Sequence, residues 1–218
     1  MNINTKEYWE NRFASKDWEE KGGRFQTIQF AKDIVQLINI PSDYSGKILD
    51  FGCGLGDAIP IYREHFQRAS LIGVDHAKAA ISKCKERYVD IAEFINCNHL
   101  EIPEADVIIS CAVFEHLSNQ MDVVKHLLTK CVDLFIFVPY KEVIRLNSEH
   151  VNSYDENSFR QFGAYNTTVF LTKAWSQYGR KLWIDVYLKN LLRPFFNKKI
   201  VHRNRMIMFH FRGRLQNE

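Results

Sequence analysis

The sequence predicts an α/β fold built on a doubly wound, mostly parallel β-sheet, and three observations lead to this prediction. Short apolar runs typical of strands alternate with stretches whose apolar residues recur at helical spacing. These runs are apolar throughout, as expected of strands that are covered on both faces. A glycine-rich stretch over residues 52–56 follows the first run, and such a turn between a strand and a helix is typical of nucleotide-binding sheets.

Seven strands and five helices are expected from the order of these patterns. The strands are expected over residues 47–51, 70–75, 92–96, 106–110, 134–138, 167–172 and 205–211. The helices are expected over residues 8–13, 27–38, 57–66, 77–88 and 120–131, the third with Asp57 as its N-cap. Beyond Pro139 the alternation weakens. A further, aromatic-rich helix is expected before the last strand, carrying Trp175, Tyr178, Trp183 and Tyr187.

Length and composition narrow the class of protein. The chain has 218 residues, 46% hydrophobic and 25% charged, which fits one folded domain and excludes wholesale disorder. No apolar run approaches the roughly 18–20 residues that cross a bilayer, and no signal-peptide apolar region is evident at the N-terminus. Five cysteines without C-x-x-C spacing argue against a disulfide framework and a zinc finger. We therefore expect a cytoplasmic protein in a reducing compartment.

Charge is distributed unevenly along the chain. From Lys173 to the end there are eleven Lys and Arg residues against two acidic ones, whereas the preceding residues carry 18 basic and 24 acidic side chains. A basic segment on an acidic body fits binding to phosphate, nucleic acid or a membrane surface, or a solvated helical face. We expect a single domain over residues 1–218, with a helical N-terminal cap at 1–40 and a basic aromatic insertion at 173–204.

The glycine-rich turn excludes two common nucleotide-binding motifs. A dinucleotide fingerprint requires G-x-G-x-x-G, but here the third glycine comes one residue early, at Gly56, and Asp57 would repel a pyrophosphate. A phosphate-binding Walker loop is excluded because no G-K-S/T follows.

The turn instead resembles the first motif of class I S-adenosylmethionine-dependent methyltransferases, h-h-D/E-x-G-x-G-x-G, over residues 48–56. Asp75 matches the family's acid at the end of the second strand, and Asn98 stands where an aspartate is usual after the third. Residues 106–117 resemble the motif D-h-h-h-s-x-x-h-h-E-H-h, and residues 150–159 the later H-x-x-x-F/Y segment. The opening Y-W-E-x-R-F at residues 8–13 is typical of small-molecule members.

This resemblance spans about residues 5–172 and implies a Rossmann-like methyltransferase fold with an antiparallel C-terminal strand. It implies S-adenosylmethionine as cofactor, and histidines suited to act as general bases at the acceptor, His116 and His150. The residues implied to bind the cofactor are Tyr8, Arg12, Asp50, Gly52, Cys53, Gly54, Asp75, His76, Asn98, His99, Ser110 and Cys111.

Structural alternatives stay open for several of these residues. The glycines could form a tight strand–helix turn without a ligand, and Asp75 could be a helix N-cap. His116 could pack the start of a helix, and Glu115 could orient His116 or cap a backbone amide. Ubiquinone-biosynthesis O-methyltransferases carry E-x-x-E-H for a metal, but Ala112 replaces the first glutamate here, so we expect no metal.

The expected activity is methyl transfer to a small polar acceptor, on oxygen in preference to nitrogen. A phosphorylated or sugar-like precursor of a cell-surface glycan would fit the basic insertion, which would then contact an anionic acceptor. We expect no nucleic-acid partner, no membrane span, and a monomer or homodimer. The alternatives are an RNA or protein methyltransferase, a catalytically silent donor-binding regulator, and a nicotinamide-dependent oxidoreductase.

Overall fold

A seven-stranded sheet organises the chain in the order β3-β2-β1-β4-β5-β7-β6. The computed structural model describes residues 3–142, 148–175, 184, 188–198, 200 and 205–212. The strands are β1 (Lys47–Phe51), β2 (Ser70–Asp75), β3 (Glu93–Asn96), β4 (Val107–Cys111), β5 (Asp133–Pro139), β6 (Tyr165–Leu171) and β7 (Arg205–Arg212). Each of the seven lies within two residues of its predicted bounds at either end.

Helices cover both faces of this sheet. They are α1 (Lys6–Ala14), α2 (Asp17–Glu20), α3 (Gly23–Leu37), α4 (Ile59–His65), α5 (Lys78–Tyr88), α6 (Gln120–Lys130) and α7 (Lys189–Leu192). Short 3₁₀ turns occur at Phe114–His116, Arg160–Phe162 and Arg193–Phe196. The predicted N-terminal cap contains α1, α2 and α3, while its status as a separate part of the domain stays a prediction. Among the described residues, no helix has the length and apolar character needed to cross a membrane.

Strand pairing confirms the predicted sheet. β1 pairs in parallel with both β2 and β4, and β4 pairs in parallel with β5. β7 is antiparallel to β5 on one side and to β6 on the other, as expected for an antiparallel C-terminal strand. The strand order reverses between β1 and β4, and ligands of such sheets bind at the carboxyl ends of the strands beside this reversal.

Alternating residues of the strands build a core on each face. In β5, Phe135 and Phe137 pack with the helices α3 and α4, whereas Leu134 and Ile136 pack with α6 on the opposite face. This alternation follows from the period of two along a strand. It explains why the central strands are mainly apolar, because helices cover both of their faces, whereas β6 at the end of the sheet is partly exposed.

Two predicted helical features differ from the structure or lie outside it. The prediction of Asp57 as N-cap is wrong, because α4 begins at Ile59 with Ala58 as N-cap and Pro60 in its first turn. Asp57 instead accepts a hydrogen bond from the Tyr88 hydroxyl at 2.9 Å. Within the expected aromatic helix, Trp175 packs edge-to-face on Phe30. The other three aromatic residues, Tyr178, Trp183 and Tyr187, lie outside the described residues.

Candidate active site

A cavity of about 200 Å³ lies at the carboxyl edge of the parallel strands. Strand ends and the turns after them form one wall, and the N-terminal helices form the other. Ten of the fourteen predicted site residues line it: Asp50, Gly52, Cys53, Gly54, Asp75, His76, Asn98, His99, Cys111 and His116. Four of the predicted residues do not line it: Tyr8, Arg12, Ser110 and His150.

The turn after β1 depends on glycine at three positions. Gly52, Gly54 and Gly56 have positive φ angles of 77°, 52° and 75°, which side-chain-bearing residues rarely adopt. A Cβ on Gly52 would also lie 2.4 Å from a methyl of Val113, and one on Gly56 would lie 2.9 Å from the Cys84 sulfur. Gly52 and Gly54 line the cavity, so at these two positions the main chain borders it without a side chain.

Asp75 fixes the position of this turn. Its carboxylate accepts hydrogen bonds from the backbone N–H groups of Gly54 at 3.0 Å and Ala77 at 2.8 Å. Burial raises the pKa of the Asp75 carboxyl, and the N–H of Ala77 acts in the opposite direction. The alternative that Asp75 is a helix N-cap is wrong, because Ala77 is the N-cap residue of α5 and no side chain caps that helix. The bond of Asp75 to Gly54 instead links β2 to the glycine turn.

Asp50 places a second carboxyl group in the cavity, at the end of β1. Burial raises the pKa of Asp50 to about 7, and the negative charge of Asp75 contributes to the rise. A cationic ligand group near Asp50 would therefore stabilise its charged form.

Two further predicted site residues, Asn98 after β3 and Ser110 in β4, already use their polar groups in hydrogen bonds within the protein. Asn98 lines the cavity, but its side-chain oxygen accepts from the Leu100 N–H at 2.8 Å, and its amide group donates to Glu101 at 2.7 Å. Ser110 is buried within the sheet and donates to the backbone oxygen of Phe51 at 3.2 Å. The Ser110 side chain is thus used to join β4 to β1.

Tyr8 and Arg12 bind a carboxylate of the chain itself. The Tyr8 hydroxyl donates to Glu149 at 2.6 Å, Arg12 forms an ion pair with the same carboxylate, and Arg12 also donates to Tyr8 at 2.8 Å. Burial alone would raise the pKa of Glu149, but the Tyr8 hydroxyl and the Arg12 charge hold it below its ordinary value. This cluster connects α1 to the segment that follows β5.

On the neighbouring turns of α1, Trp9 and Phe13 line the cavity. The Trp9 ring contacts His116 edge-to-face at a centroid distance of 5.0 Å. The role of Tyr8 and Arg12 toward the donor stays a prediction.

His116 and His150 lie together on the far side of the cavity. Their ring centroids are 4.8 Å apart, and only His116 lines the cavity. Nδ1 of His116 lies 3.0 Å from the backbone oxygen of Glu149, and because a carbonyl oxygen only accepts, Nδ1 carries the hydrogen. The neutral ring therefore keeps a lone pair on Nε2.

The two histidines differ in charge. Burial lowers the pKa of His116 to about 4, and the neighbouring His150 lowers it as well. Burial is the largest single influence on the pKa of His150 and acts to lower it, but the hydrogen bond of its Nδ1 with Glu142 and the negative charges of Glu115, Glu142 and Glu149 together raise it. His116 is therefore neutral at pH 7.

Glu115 adds a buried carboxyl group beside the two histidines. It is 1% exposed, and its Oε2 has no hydrogen-bond partner within the described part of the chain. Burial raises the pKa of Glu115 to about 7. One ligand atom from each of Glu115, His116 and His150 lies within 4.8 Å of the others, so this set fits a divalent metal ion in its atom types.

The segment after β5 is held against the turn that carries His116. Tyr154 is buried and its hydroxyl donates to the backbone oxygen of Phe114 at 2.8 Å. The Asn152 amide donates to the backbone oxygens of Phe114 at 3.0 Å and Leu117 at 2.6 Å. These bonds fix His150 beside His116 and explain the H-x-x-x-Y pattern.

Sequence reasoning missed several residues of the site. The N-terminal helices add Trp18, Gln26, Thr27 and Phe30 to the cavity wall, and α4 adds Tyr62. Helical periodicity indicates that a helix has a buried face, but it does not distinguish a face on the core from a face on a cavity. The partners Glu142 and Glu149 carried no motif signal.

Comparison with known proteins agrees with this architecture. A family model described as a methyltransferase domain matches residues 49–134. A trans-aconitate 2-methyltransferase of Rhodopseudomonas palustris (strain HaA2) is 31% identical over 96 residues, which cover 43% of this chain and 37% of that protein. The chain thus matches little more than a third of the length of this curated relative.

Solved structures share the whole fold. The plantazolicin methyltransferase BpumL, in complex with SAH, aligns with a TM-score of 0.59 at 15% identity, covering 97% of this chain and 96% of that one. A chain of the complex between the Haloferax volcanii Trm112 methyltransferase activator and the putative methyltransferase aligns with a TM-score of 0.66 at 13% identity, covering 94% and 97%. Residues 49–134 thus match the methyltransferase domain family that the motifs predicted, and the solved structures show that the chain shares the fold of these methyltransferases.

Proposed function

We propose that the chain binds S-adenosylmethionine in the cavity and transfers its methyl group to a small acceptor on the side of His116. The observation that carries this proposal is the glycine turn, where Gly52 and Gly54 have positive φ angles and line the cavity without side chains. The residues that would hold the donor are Gly52, Gly54, Asp50 and Asp75. When bound, the donor supplies a methyl group already activated on a sulfonium sulfur.

The protein must mainly position the acceptor and receive its proton. His116 lines the cavity and is neutral at pH 7. Its Nδ1 bonds the backbone oxygen of Glu149, so the lone pair on Nε2 is not used in that bond. We propose that Nε2 accepts the proton of an acceptor hydroxyl. A weak base suffices, because that proton becomes strongly acidic once the oxygen lone pair begins to bond to carbon.

The acceptor that we propose is small and polar, with methylation on oxygen. A phosphorylated or sugar-like compound stays among the candidates because the residues from Lys173 onward are strongly basic. RNA methylation is the alternative, and it predicts binding to RNA that weakens steeply with salt.

The test is a transfer assay with labelled donor over acceptor panels of alcohols, phenols, sugar phosphates and amines. Methylation of a hydroxyl is the expected result, and donor binding without transfer to any acceptor would support the silent regulator instead.

The pH profile identifies the base. With His116 as base, turnover is expected to stay level from about pH 8 to pH 5 and to fall as the pH approaches the pKa of His116, about 4. Loss of turnover with a midpoint above 6.5 that disappears in His150→Ala would assign the base to His150, whereas a midpoint that stays in this variant would belong to Asp50 or Glu115, whose pKa values are about 7.

A second candidate is metal-assisted transfer, favoured by the unpartnered Oε2 of buried Glu115 between two histidines. A divalent ion held there would polarise the acceptor oxygen. Dialysis against a chelator distinguishes the two candidates. Unchanged turnover is expected for base catalysis, whereas loss restored by Mn²⁺ or Zn²⁺ would establish the metal.

A further inference from the structure

Residues 188–200, which we call the apolar–basic segment, expose large hydrophobic side chains in an unusual concentration. Phe195 is 84% exposed, Leu191 71% and Phe196 68%. Leu188, Leu192 and Ile200 are exposed as well. Single exposed apolar side chains are ordinary on a protein surface, but six within thirteen residues of chain mark an interaction site.

The two phenylalanines are presented by a closed turn. The helix α7 continues into the 3₁₀ turn Arg193–Phe196, which Asn197 ends in the left-handed conformation with a φ of 52°. The N–H of Lys198 donates to the backbone oxygen of Arg193 at 2.9 Å and closes the turn. Phe195 and Phe196 thus stand on a defined backbone with their rings toward solvent.

Basic residues alternate with these apolar residues along the sequence. The segment carries Lys189, Arg193, Lys198 and Lys199, and residues 188–200 contain no Asp or Glu. Exposed Phe and Leu beside Lys and Arg are the composition of protein segments that lie in the interface of an anionic bilayer.

We propose that the apolar–basic segment docks the protein on an anionic lipid surface, with Phe195 and Phe196 inserted below the headgroups. Four of the six exposed apolar side chains are aliphatic, and these have no ring face on which a nucleic-acid base could stack. A symmetric contact with a second copy would bring the same basic residues against each other. In a lipid surface, acyl chains would bury the apolar side chains and lipid phosphates would pair with the basic ones.

The segment belongs to a connection that begins and ends beside the cavity. This connection runs from β6 to β7, and the residues at its two ends, Leu171 and Arg205, pair with each other. Met206 pairs with Pro139 at the carboxyl end of β5, so the connection leaves the sheet on the side that holds the cavity. The docking itself does not depend on the proposed methyl transfer.

Vesicle co-sedimentation of the full chain tests the proposal. Vesicles of phosphatidylcholine with about a third phosphatidylglycerol are compared with vesicles of pure phosphatidylcholine, at low and high salt. We expect at least about tenfold stronger partitioning onto the anionic vesicles, and weakening by about 0.5 M salt because surface attraction is screened. Equal partitioning onto both vesicles would overturn the proposal.

Matched variants separate the apolar and basic contributions. F195S/F196S is expected to lower partitioning at least about tenfold, while V89S, which alters a 64% exposed valine on α5's C-terminal end, leaves it within about twofold. K198Q/K199Q is expected to lower it about fivefold, and the control K32Q/K85Q, which removes the same charge from α3 and α5, is expected to do so less than twofold. Equal effects of test and control variants would overturn the proposal.

Two further measurements exclude loss of folding and other partners. Calorimetric binding of S-adenosylhomocysteine should be the same in F195S/F196S and in the unaltered chain, which shows that the variant is folded without reference to turnover. A dimer in sedimentation that F195S/F196S dissociates would overturn the proposal in favour of a second copy. Salt-sensitive RNA binding lost in K198Q/K199Q, without vesicle binding, would overturn it in favour of nucleic acid.

Discussion

The two sides of the cavity are built by different means. On the side where we propose that the donor binds, called the donor side below, backbone geometry dominates: the glycine turn presents main chain, and the Asp75 carboxylate holds that turn through backbone N–H groups. On the side proposed for the acceptor, called the acceptor side below, charged and titratable side chains dominate, with His116 and His150 held by Glu149 and Glu142. The donor is the same throughout a methyltransferase family while acceptors vary. A rigid backbone turn suits a constant donor, whereas side chains that can be substituted suit a variable acceptor.

The substitution with the largest expected effect breaks the donor side. Gly54→Leu places a branched side chain at a φ of 52°, where even a Cβ lies 3.4 Å from the Phe13 ring. We expect donor binding to be abolished in calorimetry. Gly163→Leu is the matched control, because Gly163 also has a positive φ, of 86°, but nothing lies within 4 Å of its Cβ position. Retained donor affinity in Gly54→Leu would refute the site.

Removal of the proposed base tests the acceptor side. His116→Ala is expected to lower kcat about a hundredfold, the usual contribution of a general base, with a donor Kd within about twofold of the unaltered chain. His65→Ala, on α4, is the control and should leave both constants unchanged. A parallel rise of the donor Kd in His116→Ala would mean that the two sides are not separable.

Asp75→Ala is expected to have a smaller effect, confined to the donor side. It removes the acceptor of the Gly54 and Ala77 N–H groups and any contact with the ligand. Hydrogen bonds to charged groups contribute about 1.5–3 kcal/mol, so the donor Kd should rise about tenfold or more. Asp90→Ala, at an exposed position after α5, serves as control. An unchanged Kd would restrict Asp75 to holding the backbone at Gly54 and Ala77.

The smallest expected effect concerns the connection between the two sides. Glu149→Gln removes the charge that pairs with Arg12 and is expected to lower the free energy of unfolding by about 1–3 kcal/mol, measured with denaturant. Lys21→Gln breaks the exposed pair with Asp17 and should cost less than about 0.5 kcal/mol. Equal losses in the two variants would show that the cluster adds nothing beyond an ordinary surface pair.

The donor side could be predicted from the sequence because its constraints are local. The glycines lie within five residues of one another, and the strand bounds follow from apolar runs that end in polar residues. The acceptor side depends on contacts between distant parts of the chain. Arg12 pairs with a carboxylate 137 positions away, and His150 reaches His116 only because Tyr154 and Asn152 fasten their segment to the turn at Phe114.

The error at Asp57 has the same origin as the missed acceptor-side partners. An aspartate before a helix is a common N-cap, yet this side chain binds the Tyr88 hydroxyl from another helix and lies 3.4 Å from Arg24. The local sequence correctly predicted that a helix follows Asp57. Contacts with Tyr88 and Arg24, distant in sequence, determine what the Asp57 side chain binds.

The place of β7 has a consequence for how the chain is made. β7 is the last strand in the described part of the chain, yet it lies between β5 and β6 and is hydrogen-bonded to both. Until the ribosome has released residues 205–212, β5 has an open edge and β6 has no place in the sheet. A nascent or truncated chain ending before Arg205 would therefore expose apolar strand edges, and we expect it to aggregate or to require a chaperone.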